Sequence, residues 1–125
     1  LHLGQSDMHP DKARSIIDHK IEIGLSITNE NQIDDIPDCV KYIGVGPIYK
    51  TNSKNDASKP LGENGLKNII LKTNIPVVAI GGIATSKVSK LFDLGVSGVA
   101  VISNILNNKN YLQNFLLLKN QIYKD

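Results

Sequence analysis

The chain has 125 residues and a mass of 13.6 kDa, the size of one small domain. Its 14 Lys and Arg against 12 Asp and Glu leave a formal charge of +2, too even a balance to call for a nucleic-acid partner. The single cysteine, Cys39, excludes an intrachain disulfide framework and suits a reducing, cytoplasmic compartment, while no apolar run nears the ~20 residues of a membrane span.

The predicted elements alternate along the chain. Residues 1–3 are a first apolar, strand-like run. Residues 10–20 read as a helix with Ala13, Ile16 and Ile17 on one face and Ser6 or His9 near its cap. A second run covers residues 21–27, followed by a short acidic helix candidate at 29–36. The third run, residues 42–49, leads into a polar stretch at 50–65 that holds Pro60, Gly62 and Gly65. A loop that long, placed directly after a strand, is expected to be functional. Residues 66–72 place Leu66, Ile69 and Ile70 together as a helix. Residues 76–80 and 98–102 are nearly continuous β-branched runs, as in parallel strands buried on both faces. Between them, 85–94 reads as a helix carrying Val88, Leu91 and Phe92, with Gly95 to stop it. Residues 110–124 form the last helix, carrying Leu112, Phe115, Leu116, Leu118 and Ile122. This alternation predicts an α/β fold with a parallel sheet.

The chemistry-bearing residues gather where strands end. Gly81-Gly82 closes the fourth run; without Cβ atoms, its amides can approach a ligand closely, and a helix start follows. Ile102-Ser103 closes the fifth run and offers further donors ahead of a short helical turn. The pair suggests a phosphate site of the kind barrels build after their last strands, although Gly-Gly alone also serves as a tight turn. Thr51-Asn52-Ser53-Lys54 adds two hydroxyls and an ammonium, suited either to a second phosphate or to a surface turn. Asp7, just past the first strand, suits either a Mg²⁺ ligand or a helix N-cap. Ser26 lies at the matching end of the second strand, and His2 reads as a hydrogen-bonded core histidine. Cys39 has no histidine partner in sequence and is given no catalytic role.

Together, His2-Leu3-Gly4-Gln5-Ser6-Asp7, Ile23-Gly24-Leu25-Ser26, Tyr42-Ile43-Gly44-Val45-Gly46-Pro47-Ile48-Tyr49 and Thr51-Asn52-Ser53-Lys54-Asn55-Asp56-Ala57 resemble the thiamine-phosphate synthase family. Pro76-Val77-Val78-Ala79-Ile80-Gly81-Gly82-Ile83 and Gly98-Val99-Ala100-Val101-Ile102-Ser103 continue the match in family order. The resemblance implies a (β/α)8 TIM barrel, of which residues 1–125 would be the C-terminal portion, strands four to eight. Such a barrel takes ~200 to 250 residues. Because the chain opens on Leu1 inside a strand-like run, its expected beginning lies upstream.

The family joins hydroxymethylpyrimidine diphosphate to a thiazole phosphate, with Mg²⁺. The resemblance implies Asp7 as a Mg²⁺ ligand, with Ser26 and Lys54 on the diphosphate. It further implies that Thr51 and Ser53 hold the thiazole phosphate together with the Gly81, Gly82, Ile102 and Ser103 region, and that His2 supports the pocket. The expected partners are small molecules, without nucleic acid or membrane; a homo-oligomer is admissible.

Two departures stand out. The Gln-x-Arg-x-Lys segment and the Asn-Asp pair that the family's earlier strands carry, and that supply most of the diphosphate clamp, have no counterpart here, Asn55-Asp56 belonging to the later Thr51–Ala57 match, so the chain by itself is expected to be inactive. Lys50 stands where the family usually has Pro. Alternative readings are a thiazole tautomerase-like isomerase, another phosphate-binding barrel such as an aldolase, and a non-catalytic phosphate-binding module on an open, flavodoxin-like sheet.

Overall fold

The structure, a computed structural model, describes residues 1–51, 59–106 and 109–123. Five strands form one sheet: β1 (His2–Leu3), β2 (Ile23–Ile27), β3 (Val40–Val45), β4 (Val77–Ile80) and β5 (Gly98–Ala100). All neighbours are parallel, and their spatial order is their order in sequence. The helices are α1 (Pro10–Arg14), α2 (Gly62–Lys72), α3 (Val88–Asp93), α4 (Ser103–Leu106) and α5 (Tyr111–Ile122), with 3₁₀ turns at Glu30–Gln32 and Thr85–Lys87.

Sequential order has a consequence for the two faces. Parallel crossovers are right-handed, so a chain that always steps to the same side sends every connection over one face. That face is the core: Ile23, Ile27, Ile43, Val45 and Ala79 are fully buried, as are Leu66 and Ile69 of α2 and Val88 and Leu91 of α3. The other face carries His2, Gly24 and Tyr42 in one row and Ser26, Gly44, Val78 and Gly98 in the next. It is less covered, and Ile80 on it is 40% exposed. A flavodoxin-like sheet reverses its strand order partway along. The observed order does not, which overturns the flavodoxin-like topology.

Other expectations need correcting. The first helix stops at Arg14, whose guanidinium turns to donate to the carbonyls of Asp18 (3.1 Å) and Ile21 (2.6 Å). Ile16 is consequently exposed rather than packed. The acidic segment at 29–36 makes only the Glu30–Gln32 turn. Gln32 Oε1 accepts from the amides of Thr28 (2.8 Å) and Asn29 (3.3 Å), which closes the turn on itself, and Pro37 disfavours further helix. The third run leaves the sheet after Val45, because Pro47 has no N–H for a ladder. Helix α2 begins at Gly62, inside the stretch expected to be loop. The amides of Leu61 and Gly62 donate to the carbonyls of Pro47 and Ile48, both at 2.9 Å, and so pin the helix start to the end of β3. On α5 only Leu118 is buried and Ile122 partly so, whereas Leu112, Phe115 and Leu116 lie outside. The helix leans on α3 and α4 along one stripe, four residues apart, and the neighbouring stripe is uncovered among the described residues.

Candidate active site

Parallel, sequential strands bring all their C-terminal ends to one rim. There the loops that follow the strands, at residues 4–9, 28–39, 46–51, 81–84 and 101–103, are arranged in strand order.

The polar row just below the rim is built by strand register. His2 pairs with Gly24, and Gly24 with Tyr42, so all three side-chain positions share the open face. A Cβ on Gly24 would fall 2.2 Å from Tyr42 Cζ, and one on Gly44 would fall 2.9 Å from His2 Cε1. These two glycines leave room for two rings. Tyr42 lies across β2 with its hydroxyl 3.2 Å from His2 Nδ1, and His2 Nε2 is 2.9 Å from Ser26 Oγ. Gln5 Nε2 donates to the Ser26 carbonyl at 2.6 Å and ties the loop after β1 to the end of β2. His2 is therefore an exposed, hydrogen-bonded residue of the open face, not the core histidine expected. The reason is geometric: in a strand, His2 and the buried Leu3 must face opposite ways.

Asp7 closes the turn after β1. Its Oδ2 accepts from the Gly4 amide at 2.6 Å, and its own amide donates to the Gly4 carbonyl at 3.2 Å. It does not cap α1; His9 does, accepting from the Asp11 amide at 3.4 Å. The described residues contain no group of three His, Cys, Asp or Glu able to hold a metal. Asp7 nevertheless fits Mg²⁺ as a single carboxylate, because this ion takes one or two carboxylates and completes its shell with water and substrate phosphate.

Farther along the rim, the loops after β3 and β4 are pressed together. The amides of Ile48 and Tyr49 donate to the carbonyls of Ile80 (2.9 Å) and Gly81 (3.0 Å). Gly82 has φ +65°, and a Cβ there would lie 2.6 Å from the Lys50 oxygen. Behind them, Tyr49 donates to Glu63 Oε1 at 2.9 Å, and Glu63 pairs with Lys90. Burial, and then the Glu63 carboxylate, push the Tyr49 phenol up to about 12. Hydrogen bonds from Lys90 and Tyr49 hold the Glu63 carboxyl below its ordinary range. Beside Ser103, Asn104 donates to Thr85 Oγ1 at 2.6 Å, while Ile102 is exposed.

The structure thus brings His2 and Ser26 into contact and sets Asp7, Thr51, Gly81, Gly82, Ile102 and Ser103 along the same rim. Ser53 and Lys54 lie outside the described residues. The sequence reading missed Gln5, Tyr42, Thr85 and Asn104. For Tyr42 a signal existed: a large polar ring two positions before Gly44, opposite Gly24, in otherwise apolar strands. Cys39 bonds to Asp11 Oδ1 at 3.4 Å, and burial followed by that carboxylate raises its thiol pKa, which keeps it a weak nucleophile.

Residues 1–105 match the TMP-TENI family model, described as thiamine monophosphate synthase. The thiamine-phosphate synthase of Lactococcus lactis subsp. cremoris (strain MG1363) is 36% identical over all of this chain, which covers 58% of that protein. That of Methanococcus maripaludis is 44% identical over 90% of this chain and 54% of its own length. The solved thiamine phosphate pyrophosphorylase from Pyrococcus furiosus superposes with a TM-score of 0.84 at 28% identity, over 97% of this chain and 57% of that one. The chain therefore spans somewhat over half the length of the relatives it matches. With the family model covering most of its residues, the chain belongs to the thiamine monophosphate synthase family.

Proposed function

We propose that these residues are strands four to eight of a (β/α)8 barrel, and that the protein they belong to makes thiamine phosphate and pyrophosphate from hydroxymethylpyrimidine diphosphate and thiazole phosphate. The observation that carries the reading is the rim itself: sequential parallel strands ending in hydroxyl, amide and carboxylate groups, within a chain of this family. The reaction breaks the C–O bond between the pyrimidine methylene and the diphosphate, which leaves with the bonding pair. The electron-rich pyrimidine stabilises the resulting cation, and the thiazole nitrogen closes the new C–N bond. No protein nucleophile is needed, so the chain's task is positioning and charge.

Ser26 and Lys54 are assigned to the leaving diphosphate. Thr51, Ser53, Gly81, Gly82, Ile102 and Ser103 are assigned to the thiazole phosphate. His2, held between Ser26 and Tyr42, shapes the pyrimidine side. Mg²⁺, when bound, would neutralise charge on the diphosphate, and Asp7 is the residue here that would hold it. We place the protein in the cytoplasm with small-molecule partners. Its balanced charge does not favour nucleic acid, and no helix among the described residues is long and apolar enough to cross a membrane.

The test is a chimera in which the upstream two-fifths of the Lactococcus lactis relative precedes residues 1–125. It should release pyrophosphate only when both substrates and Mg²⁺ are present, while residues 1–125 alone should not. Turnover of a thiazole phosphate with no diphosphate substrate would overturn the assignment in favour of an isomerase.

A further inference from the structure

The ladder between β4 and β5 ends with Ile80 opposite Ala100. Beyond it, two loops carry the proposed phosphate contacts, Gly81 and Gly82 on one and Ser103 on the other. Main-chain pairing no longer sets their spacing. Two side chains reach across instead: Asn104 Nδ2 donates to Thr85 Oγ1 at 2.6 Å, in a partly buried position. Thr85 is three residues past Gly82, and Asn104 directly follows Ser103. On its far side, α4 is held by Asn114 Nδ2, which donates to the Ile105 carbonyl at 3.1 Å. The turn bearing Ser103 is thus held from both directions, and the Thr85 hydrogen bond links it to the segment that follows the glycine loop.

We infer that Thr85 and Asn104 are positioning residues that fix the separation of the two loops and thereby set the affinity for a phosphate monoester. This rests on the phosphate reading above and deepens it. Neither residue need touch the ligand. A phosphate gripped from two loops loses binding when their spacing relaxes, because each donor must lie within about 3 Å of its oxygen at once. A partly buried hydrogen bond is worth enough to hold such a spacing.

Thr85→Val keeps the side-chain volume and removes the acceptor, and Thr85→Ser keeps the acceptor. Calorimetric titration of the chimera described above with thiazole phosphate should show about fivefold weaker binding for Thr85→Val, the equivalent of about 1 kcal/mol. Thr85→Ser should restore it, and binding of the unphosphorylated thiazole alcohol should not change. Asn104→Ala should weaken phosphate binding by the same factor, and the double variant Thr85→Val/Asn104→Ala no further.

Hydrogen exchange provides a ligand-free readout. Thr85→Val should speed exchange at the Ile105 and Leu106 amides, which bond to the Ile102 carbonyl and close the turn that the Thr85 contact ties down. Unchanged exchange there, or additive losses in the double variant, would overturn the tie. If the unsubstituted chimera binds no phosphate while the exchange coupling holds, the phosphate reading fails and the positioning role falls with it, although the contact itself stands.

Discussion

Gly62 and Gly82 have nearly the same positive φ, +66° and +65°, but different surroundings. An added Cβ on Gly62 meets nothing within 4 Å, whereas on Gly82 it would lie 2.6 Å from the Lys50 oxygen and 2.7 Å from the Tyr49 oxygen. Alanine at either site takes on the left-handed strain, about 1–2 kcal/mol. Both substitutions also restrict the unfolded chain alike, which cancels in the comparison. At Gly82 the overlap is with main-chain oxygens, which cannot swing aside, so the loops after β3 and β4 must separate. Forced overpacking of that kind costs roughly 1–3 kcal/mol more. Gly82→Ala should therefore destabilise by about 2–5 kcal/mol and Gly62→Ala by about 1–2 kcal/mol. Equilibrium urea denaturation of the two variants, with the slope checked for constancy, measures the difference. Equal losses would refute the close approach of the two loops, and with it the reason given for a glycine at this point of the rim.

Three further outcomes are expected. Tyr49 should ionise near 12 rather than 10 in an alkaline titration followed by tyrosinate absorbance. Because the folded chain holds this proton more tightly than the unfolded one, the stabilisation is whole below pH 10 and is lost as pH rises toward 12. Tyr49→Phe should flatten that alkaline loss; an unchanged slope would count against the Glu63 contact and the burial behind it. Leu91→Ala, at a fully buried position, should cost about 2–5 kcal/mol in urea denaturation, and a loss below that of an exposed site such as Leu71→Ala would contradict the packing of α3. Tyr42→Phe removes the hydroxyl beside His2 Nδ1 and should move the His2 ring nitrogen resonances, with a stability change of about 1 kcal/mol or less. Unmoved resonances would show that the two rings do not meet.

The parts of the fold legible in the sequence are those set by neighbours in the chain. Unbroken apolar runs such as Val77–Ile80 announced parallel strands, though not burial on both faces, since Ile80 is exposed and no residue of β5 is buried; the apolar spacing of Leu66 and Ile69 or Val88 and Leu91 announced the helices over the covered face. Gly95, with φ +104°, ends the 85–94 helix as expected. Expectation failed where a distant partner intervened. Helix α2 starts early because its first amides meet the loop after β3, and the first helix ends early because Arg14 finds carbonyls ahead of it.

The site divides in the same way. Periodicity of two assigns each residue of a strand to a face, so the sequence alone could put Ser26 at a strand end and Asp7 beyond one. The shared row of His2, Gly24 and Tyr42 depends on register between strands some twenty residues apart in sequence, and a shift of one residue would have sent each ring to the opposite face. The contacts of Tyr49 with Glu63 and of Asn104 with Thr85 are likewise made only when crossovers return each strand end beside the last. Local pattern determined which residues are strand, helix and rim. Tertiary structure decided which rim residues touch, because strand order and register are settled by burial of the whole sheet face and not by any one segment.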